Sequence, residues 1–315
     1  MLKKVLIVSF FVGLCVFHLK AQTSIVELNR LLTNYFEIVR TESYSPMPDK
    51  ELYNEKNAEL LMDLLYDYYN DTLSKIRSKA YYLTYKSTYQ SQDQNIRNRG
   101  VYNLIQGLKD EDSGNVGNVA KLITNFKSND FNNRSKDSLK TILHTQKVYS
   151  DLILKLVGFA GLDEQKEYIK KNLNNGVYTS NKVKWAAHLT LARLGIEEEI
   201  EFCVDLVKKQ PVNDDVVYEL IPDLIYTRQK QALDFVLTIL HSERKDCYSA
   251  NPENPQKIMC GYRVMEFLGP VIKNFPLEID NTGDLIVDNY KEALLIVRDW
   301  FIKENGTYEI ISNTY

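Results

Sequence analysis

The sequence is poor in turn-forming residues, with 13 Gly and 8 Pro among 315 positions. That excludes collagen-like and low-complexity chains, and it leaves too few turn formers for the many short strands of an all-β fold. Cysteine is equally sparse: there are four, and no two stand at the close spacing of a zinc site or a dithiol redox motif. Three of the histidines, His144, His188 and His241, lie far apart, so none belongs to a metal-ligating pair at helical spacing. Charge of one sign is lacking too. Lys and Arg number 39 against 42 Asp and Glu, and no run of Lys or Arg supplies the electrostatic footprint of a nucleic-acid binder. Phosphate loops, dinucleotide-binding glycine patterns and G-x-S-x-G elbows are missing as well. No catalytic residue, cofactor ligand or metal ligand is assigned from the sequence.

The residues present begin with an address. Met1 to Lys4 is short and basic, Val5 to Phe17 is an apolar run, and Ala21 supplies a small residue before a cut. This reads as a secretory signal peptide over residues 1–21, resembling those of exported Gram-negative bacterial proteins. The apolar run is too short for a spanning helix, and no later stretch is long and apolar enough to be one. A mature chain beginning at Gln22, periplasmic or secreted and without a transmembrane segment, is the expectation. Cys15 makes a poor lipidation site, because Leu14 stands where a small residue is needed. In an oxidising compartment Cys247 and Cys260, which flank a polar loop holding Pro252 and Pro255, are expected to form a disulfide. Cys203 lies on an apolar helical stripe and is expected to be a buried free thiol.

From Ser24 onward apolar residues recur at steps of three and four, the period of helices. A first helix is expected from Ser24, its N-cap, to Arg40, with Ile25, Leu28, Leu31, Leu32, Tyr35 and Ile38 on one side. A second covers roughly residues 55–70 and a third begins near Asp71. Between Val148 and His241 the pattern repeats. Gly161 and Gly195 lie 34 apart, each ending a helix before an acidic start to the next, and Tyr168, Phe202 and Phe235 are spaced 34 and 33 apart in the second helices. Such a period means one helix pair per repeat, each pair too small to be stable alone. Within one pair Val183, Ala187, Leu191 and Leu194 form a stripe, answered by Ile200, Cys203, Val204 and Val207 on the returning helix.

The run Val183-Lys184-Trp185-Ala186-Ala187-His188-Leu189-Thr190-Leu191-Ala192-Arg193-Leu194-Gly195 resembles the first helix of a HEAT-like (armadillo-type) repeat. Ile76-Arg77-Ser78-Lys79-Ala80 and Ile96-Arg97 are partial matches, and Pro222 and Pro270 resemble the proline that bends a helix in many such repeats. The resemblance implies an all-α fold: an α-solenoid of about five to seven stacked antiparallel helix pairs wound as a right-handed superhelix. Residues 22–70 would form an N-terminal hairpin or cap and 71–315 the repeats, with a loop inserted at 243–259. The pair over Asp214 to His241 departs from the pattern in having no clear glycine.

Few residues suggest chemistry. Asp63, Asp67 and Asp71, four apart on one expected helix face, could serve as an acid–base pair, although a solvated acidic face explains them as well. Asp110-Glu111-Asp112-Ser113-Gly114 lacks the ligands of a calcium loop and reads as a flexible loop. Ser242-Glu243-Arg244-Lys245 matches the S-x-x-K spacing of serine acyl enzymes without their supporting motifs. Tyrosine is abundant at 21 residues, clustered at Tyr66, Tyr68, Tyr69, Tyr81, Tyr82, Tyr85 and Tyr89. Such a cluster suits helix packing or a recognition surface. The expectation is a non-enzymatic exported scaffold binding another macromolecule in the cell envelope, a protein first and carbohydrate or peptide second. The alternatives are an envelope hydrolase using Asp63 and Asp67, and a structural accessory subunit of an outer-membrane assembly.

Overall fold

A computed structural model describes residues 25–44, 46–249, 253, 255–280 and 282–315. The expected signal peptide, its cleavage site and the Ser24 cap lie outside the described residues. Among those described the chain is mostly helical, and its one small sheet pairs β1 (Cys247–Tyr248) with β2 (Lys257–Ile258) antiparallel. No helix among them is long and apolar enough to cross a membrane. The chain divides into two compact units, one reaching Phe126 and including Asp130–Ser138, the other comprising Lys127–Asn129 and Leu139–Tyr315.

The N-terminal unit holds α1 (residues 25–41), α2 (Ala58–Leu64), α3 (Ser74–Thr88), α4 (Gln94–Gly107) and α5 (Ser113–Ile123). Leu28, Leu32, Tyr35, Phe36 and Val39 of α1 share one core with Leu61 and Leu65 and with Ile76, Ala80 and Leu83 of α3. The core of α1 and α2 is thus continuous with that of α3. The buried stripe of α1 also runs narrower than expected. Ile25 and Ile38 are exposed, while Phe36 and Val39 take their places inside.

The expected second helix is broken. α2 stops at Leu64, and a 3-10 turn, Asp67–Asn70, comes after it. This break lets consecutive tyrosines serve different neighbours: Tyr68 stacks on Phe36 at 3.9 Å, and Tyr69 stacks on Tyr81 at 5.7 Å. Asp63, Asp67 and Asp71 consequently do not share a helix face.

Two ion pairs of like geometry brace this unit. Arg77 grips Asp110, 33 residues on, at 2.7 and 2.8 Å, and its Nη1 donates to the Asp71 carbonyl six residues back at 2.7 Å. Arg97 likewise donates to Asp130, 33 residues on, at 2.9 Å and to the Ser91 carbonyl at 2.6 Å. Both carboxylates are buried. Asp110 to Asp112 is therefore a tethered lead-in to α5, which takes up Ser113 and Gly114, and not the flexible loop expected. Asp110 also accepts from the Tyr81 hydroxyl at 3.0 Å, and Asp112 caps α5 by accepting from the Asn115 N–H.

α6 (Asn133–Thr145) begins in the first unit and its later turns belong to the second. The rest of the second unit holds α7 (Ser150–Phe159), α8 (Lys166–Asn174), α9 (Asn181–Arg193), α10 (Glu197–Lys208), α11 (Ile221–Tyr226), α12 (Lys230–Leu240), α13 (Gly261–Leu268) and α14 (Tyr290–Glu304). α7 packs on α9, α9 on α10, α10 on α12, and α11 on α12. The segment read as repeating holds six helices, α7 to α12; of the expected pairs, α9–α10 and α11–α12 are in contact. Gly161 and Gly195 both take a left-handed conformation, at φ 66° and 83°, and close α7 and α9 with matching hydrogen bonds, Leu162 N–H to Val157 O and Ile196 N–H to Leu191 O. In the third pair the equivalent place, 33 residues after Gly195, is held by Arg228 at φ 57°.

Ala186, Ala187, Leu191, Ile200, Cys203 and Val207 are buried as their spacing predicted, and Cys203 is a free thiol whose burial pushes its pKa up. The Glu199 carboxylate lies 2.5 Å from His188 Nδ1, while the imidazole stacks on Phe202 at 4.1 Å. His144 repeats the arrangement with Gln165 and Tyr168, and both partner sets are offset by 34 residues. Pro222 sits in the first turn of α11, after a turn of π-helix at Val216–Leu220, and Pro270 sits in a 3-10 turn after α13. Both prolines thus mark places where the helix changes type. Cys247 and Cys260 form the expected disulfide, which closes the inserted hairpin.

Candidate functional site

A polar cleft of the N-terminal unit, about 830 Å³, is built from α4 upward. One face of α4 carries Val101, Leu104 and Ile105 into the core. Another presents Arg99, Tyr102, Asn103 and Gln106, at the i, i+3, i+4, i+7 spacing of a single stripe, to the cleft. Facing them are Asp63, Tyr66 and Asp67 from the end of α2 and the turn after it, with Asn70 beside them. Arg134 of α6 completes the rim, its guanidinium 3.8 Å from the centre of the Tyr102 ring.

The floor is fixed by stacked phenols. Tyr69 and Tyr81 lie nearly parallel; the Tyr69 hydroxyl is 2.5 Å from Thr84 Oγ1 and that of Tyr81 donates to Asp110. Tyr81 can lie so close to α4 because Gly107 faces it: a Cβ there would come within 2.8 Å of the ring. Burial pushes the Tyr69 phenol up to about 12, only partly offset by its hydrogen bonds to Thr84 and Asn103 and by the nearby Arg99 charge. Burial, with the adjacent Asp110 carboxylate, raises Tyr81 further. Both therefore remain neutral donors across physiological pH. Tyr66, in contrast, is 70% exposed and offers an open ring face at the mouth.

The three aspartates part company here. Asp63 pairs with Arg99, and Asp67 stands exposed on the rim. Asp71 lies outside the cleft. Burial would raise its pKa, but the hydrogen bond from Arg40 at 2.5 Å and that from the Leu73 N–H outweigh it and hold the carboxyl below the usual aspartate value. Of the tyrosine cluster, Tyr66, Tyr69 and Tyr81 line the cleft; Tyr68 packs on Phe36, and Tyr85 and Tyr89 stack on each other at 4.4 Å. The Ser242–Lys245 motif is taken up structurally, since the Ser242 carbonyl and the Glu243 carboxylate both bind Arg298. Sequence reasoning missed the α4 stripe and Arg134. The signal was available as a polar and aromatic stripe at helical spacing beside an apolar one.

The cleft thus combines aromatic faces, both signs of charge and the amides of Asn70, Asn103 and Gln106. It can hold a ligand that carries donors and acceptors in alternation along an apolar body. No known protein family, curated protein or solved structure matches the chain.

Proposed function

We propose that this chain is an exported, HEAT-like α-solenoid, wound as a right-handed superhelix, that binds another protein in the cell envelope without transforming it. The observation that carries this reading is the outward stripe Arg99–Tyr102–Asn103–Gln106, opposed by Asp63, Tyr66 and Asp67 and capped by Arg134. Two guanidiniums and two carboxylates around one cleft match a surface that itself carries both signs, as protein surfaces do. Asp63 and Arg99 already pair with each other, but a neutral glycan would offer no opposite charge to Asp67 and Arg134. Exposed Tyr66 and the Arg134–Tyr102 stack are the side-chain types that concentrate binding energy at protein interfaces. Export is supported by the leader-like first 21 residues and by the Cys247–Cys260 disulfide.

The hydrolase alternative draws on Asp63 and Asp67, which do line one cleft, although Asp63 is engaged by Arg99. Photo-crosslinking separates the readings. A benzophenone side chain at Tyr66 or Tyr102 should trap the same polypeptide from an envelope extract, and one at exposed Ile302 should not. Arg134→Ala should reduce the Tyr66 crosslink at least tenfold. Crosslinks absent from both positions, with hydrolysis of cell-wall material lost in Asp67→Asn, would replace the scaffold reading with the enzymatic one.

A further inference from the structure

After α14 the chain turns back through Asn305 and Gly306, at φ 45° and 80°, and residues 306–315 run through the C-terminal unit as a strap without helix. Main-chain groups hold it. The Lys273 N–H donates to Glu309 O at 2.9 Å, the Ile311 N–H to Val271 O at 2.8 Å, and the Ser128 N–H to Asn313 O at 2.9 Å. Two arginines do the rest. Arg193 donates to the carbonyls of Ser312 and Thr314 at 3.2 and 2.7 Å. Arg228 donates to the main-chain oxygens of Ile311 and Tyr315 at 3.0 and 2.7 Å. The Tyr315 ring enters a niche between Phe159 and Tyr226, at 5.5 and 5.2 Å, and Arg193 lies over both of those rings.

Three features distinguish this seat from ordinary packing of a tail. Its walls are tied together independently of the strap: the Tyr226 hydroxyl donates to Lys155 O at 2.6 Å, and Gln229 Nε2 donates to Ala192 O at 3.0 Å. Arg228 takes the left-handed conformation that Gly161 and Gly195 take after α7 and α9, one that strains an L-residue and persists where the surrounding contacts hold it. Among the described residues neither guanidinium pairs with a side-chain carboxylate, so two half-buried cations stand together facing main-chain oxygens and the Thr314 hydroxyl, the last at 3.2 Å from Arg228. Burial, reinforced by the Arg193 charge, presses Arg228 down to about 9. A cleft of about 770 Å³ opens beside Tyr315, lined by Lys155, Asp223, Arg263 and Glu266 among others.

We infer that the Arg193–Arg228 seat is a peptide-binding site that the strap fills in the absence of a partner, and that its ligand is an extended polypeptide segment bearing a side-chain carboxylate next to an aromatic residue. The main chain of such a segment reproduces the oxygens that the arginines read, its ring replaces Tyr315, and its carboxylate supplies the side-chain counterion that the strap lacks. This site lies wholly within the C-terminal unit and stands or falls apart from the tyrosine cleft.

The test uses the full chain and a fluorescein-labelled peptide of residues 306–315 carrying Thr314→Glu, read by fluorescence anisotropy. Tyr315→Ala in the protein, which frees the niche, should tighten peptide binding at least tenfold, because a resident competitor is weakened. The unmodified peptide should bind about tenfold more weakly than the Thr314→Glu form. Arg228→Lys should lose at least tenfold while keeping the helical circular dichroism. In the unaltered protein the Ile311 amide should exchange with deuterium at least a hundredfold faster than that of Leu191 in α9. Equal peptide uptake by Tyr315→Ala and the parent, protection of Ile311 equal to that of Leu191, or exchange of straps between copies without peptide uptake would each overturn the inference.

Discussion

The two units bury arginine with different balances of carboxylate and main-chain partners. In the N-terminal unit Arg77 and Arg97 meet buried aspartates 33 residues on; in the C-terminal unit Arg193 and Arg228 meet main-chain oxygens, and Arg298 binds those of Leu240 and Ser242 as well as Glu243. A carboxylate partner is specified by one residue, so the pair is strong but fails with a single substitution. A main-chain partner is specified by the path of a whole segment, so each contact is weaker and the set can be exchanged for another chain with the same path.

The comparison can be broken at its strongest point. Asp110→Ala removes the anion that holds Arg77, Tyr81 and Asn115 together, and should cost about 3–5 kcal/mol in urea unfolding, because it leaves a buried cation unpaired. Reducing Cys247–Cys260, which spans 13 positions in sequence, should cost the C-terminal unit about 3 kcal/mol in the same measurement. Arg228→Met should cost less, about 1–3 kcal/mol, since it orphans main-chain acceptors and relieves a cation–cation contact. Acid sharpens the contrast. Burial raises the Asp110 pKa, but Arg77, the Asp112 N–H and Tyr81 together hold it below the ordinary 3.8. Its contribution is therefore complete above about pH 4 and fades as the pH falls through the lower folded value, so the stability gap between the parent and Asp110→Asn should close in that range. The smallest effect belongs to Tyr66→Ala. It should move stability by no more than about 0.5 kcal/mol while abolishing partner crosslinking, the mark of a residue kept for binding.

Regular packing was the legible part. Gly161 and Gly195 announced two left-handed helix ends, the stripes around Ala187 and Cys203 announced the buried faces, and the spacing of Cys247 and Cys260 announced the disulfide. The break after Leu64 was not legible, because apolar spacing runs on smoothly through Leu65, Tyr68 and Tyr69; only the places of Phe36 and Tyr81 show why the helix must stop. Asp110 read as a loop residue for a similar reason, since its partner is 33 positions away. The tyrosines were noticed without their partners. Tyr66 and Tyr69 were legible as a cluster, whereas Arg99, Tyr102 and Arg134 converge on them through tertiary packing. The third helix pair lacked its glycine because Arg228 stands in that place, a substitution that no local propensity favours.

Cys203 bears on how the disulfide is made. Cys203, Cys247 and Cys260 allow three pairings among themselves, of which the folded chain holds one. Once α9 and α10 have closed over Cys203, burial keeps its sulfur protonated and unreactive, leaving Cys247 and Cys260 to find each other. The folded α9–α10 pair thus keeps Cys203 out of thiol–disulfide exchange with Cys247–Cys260.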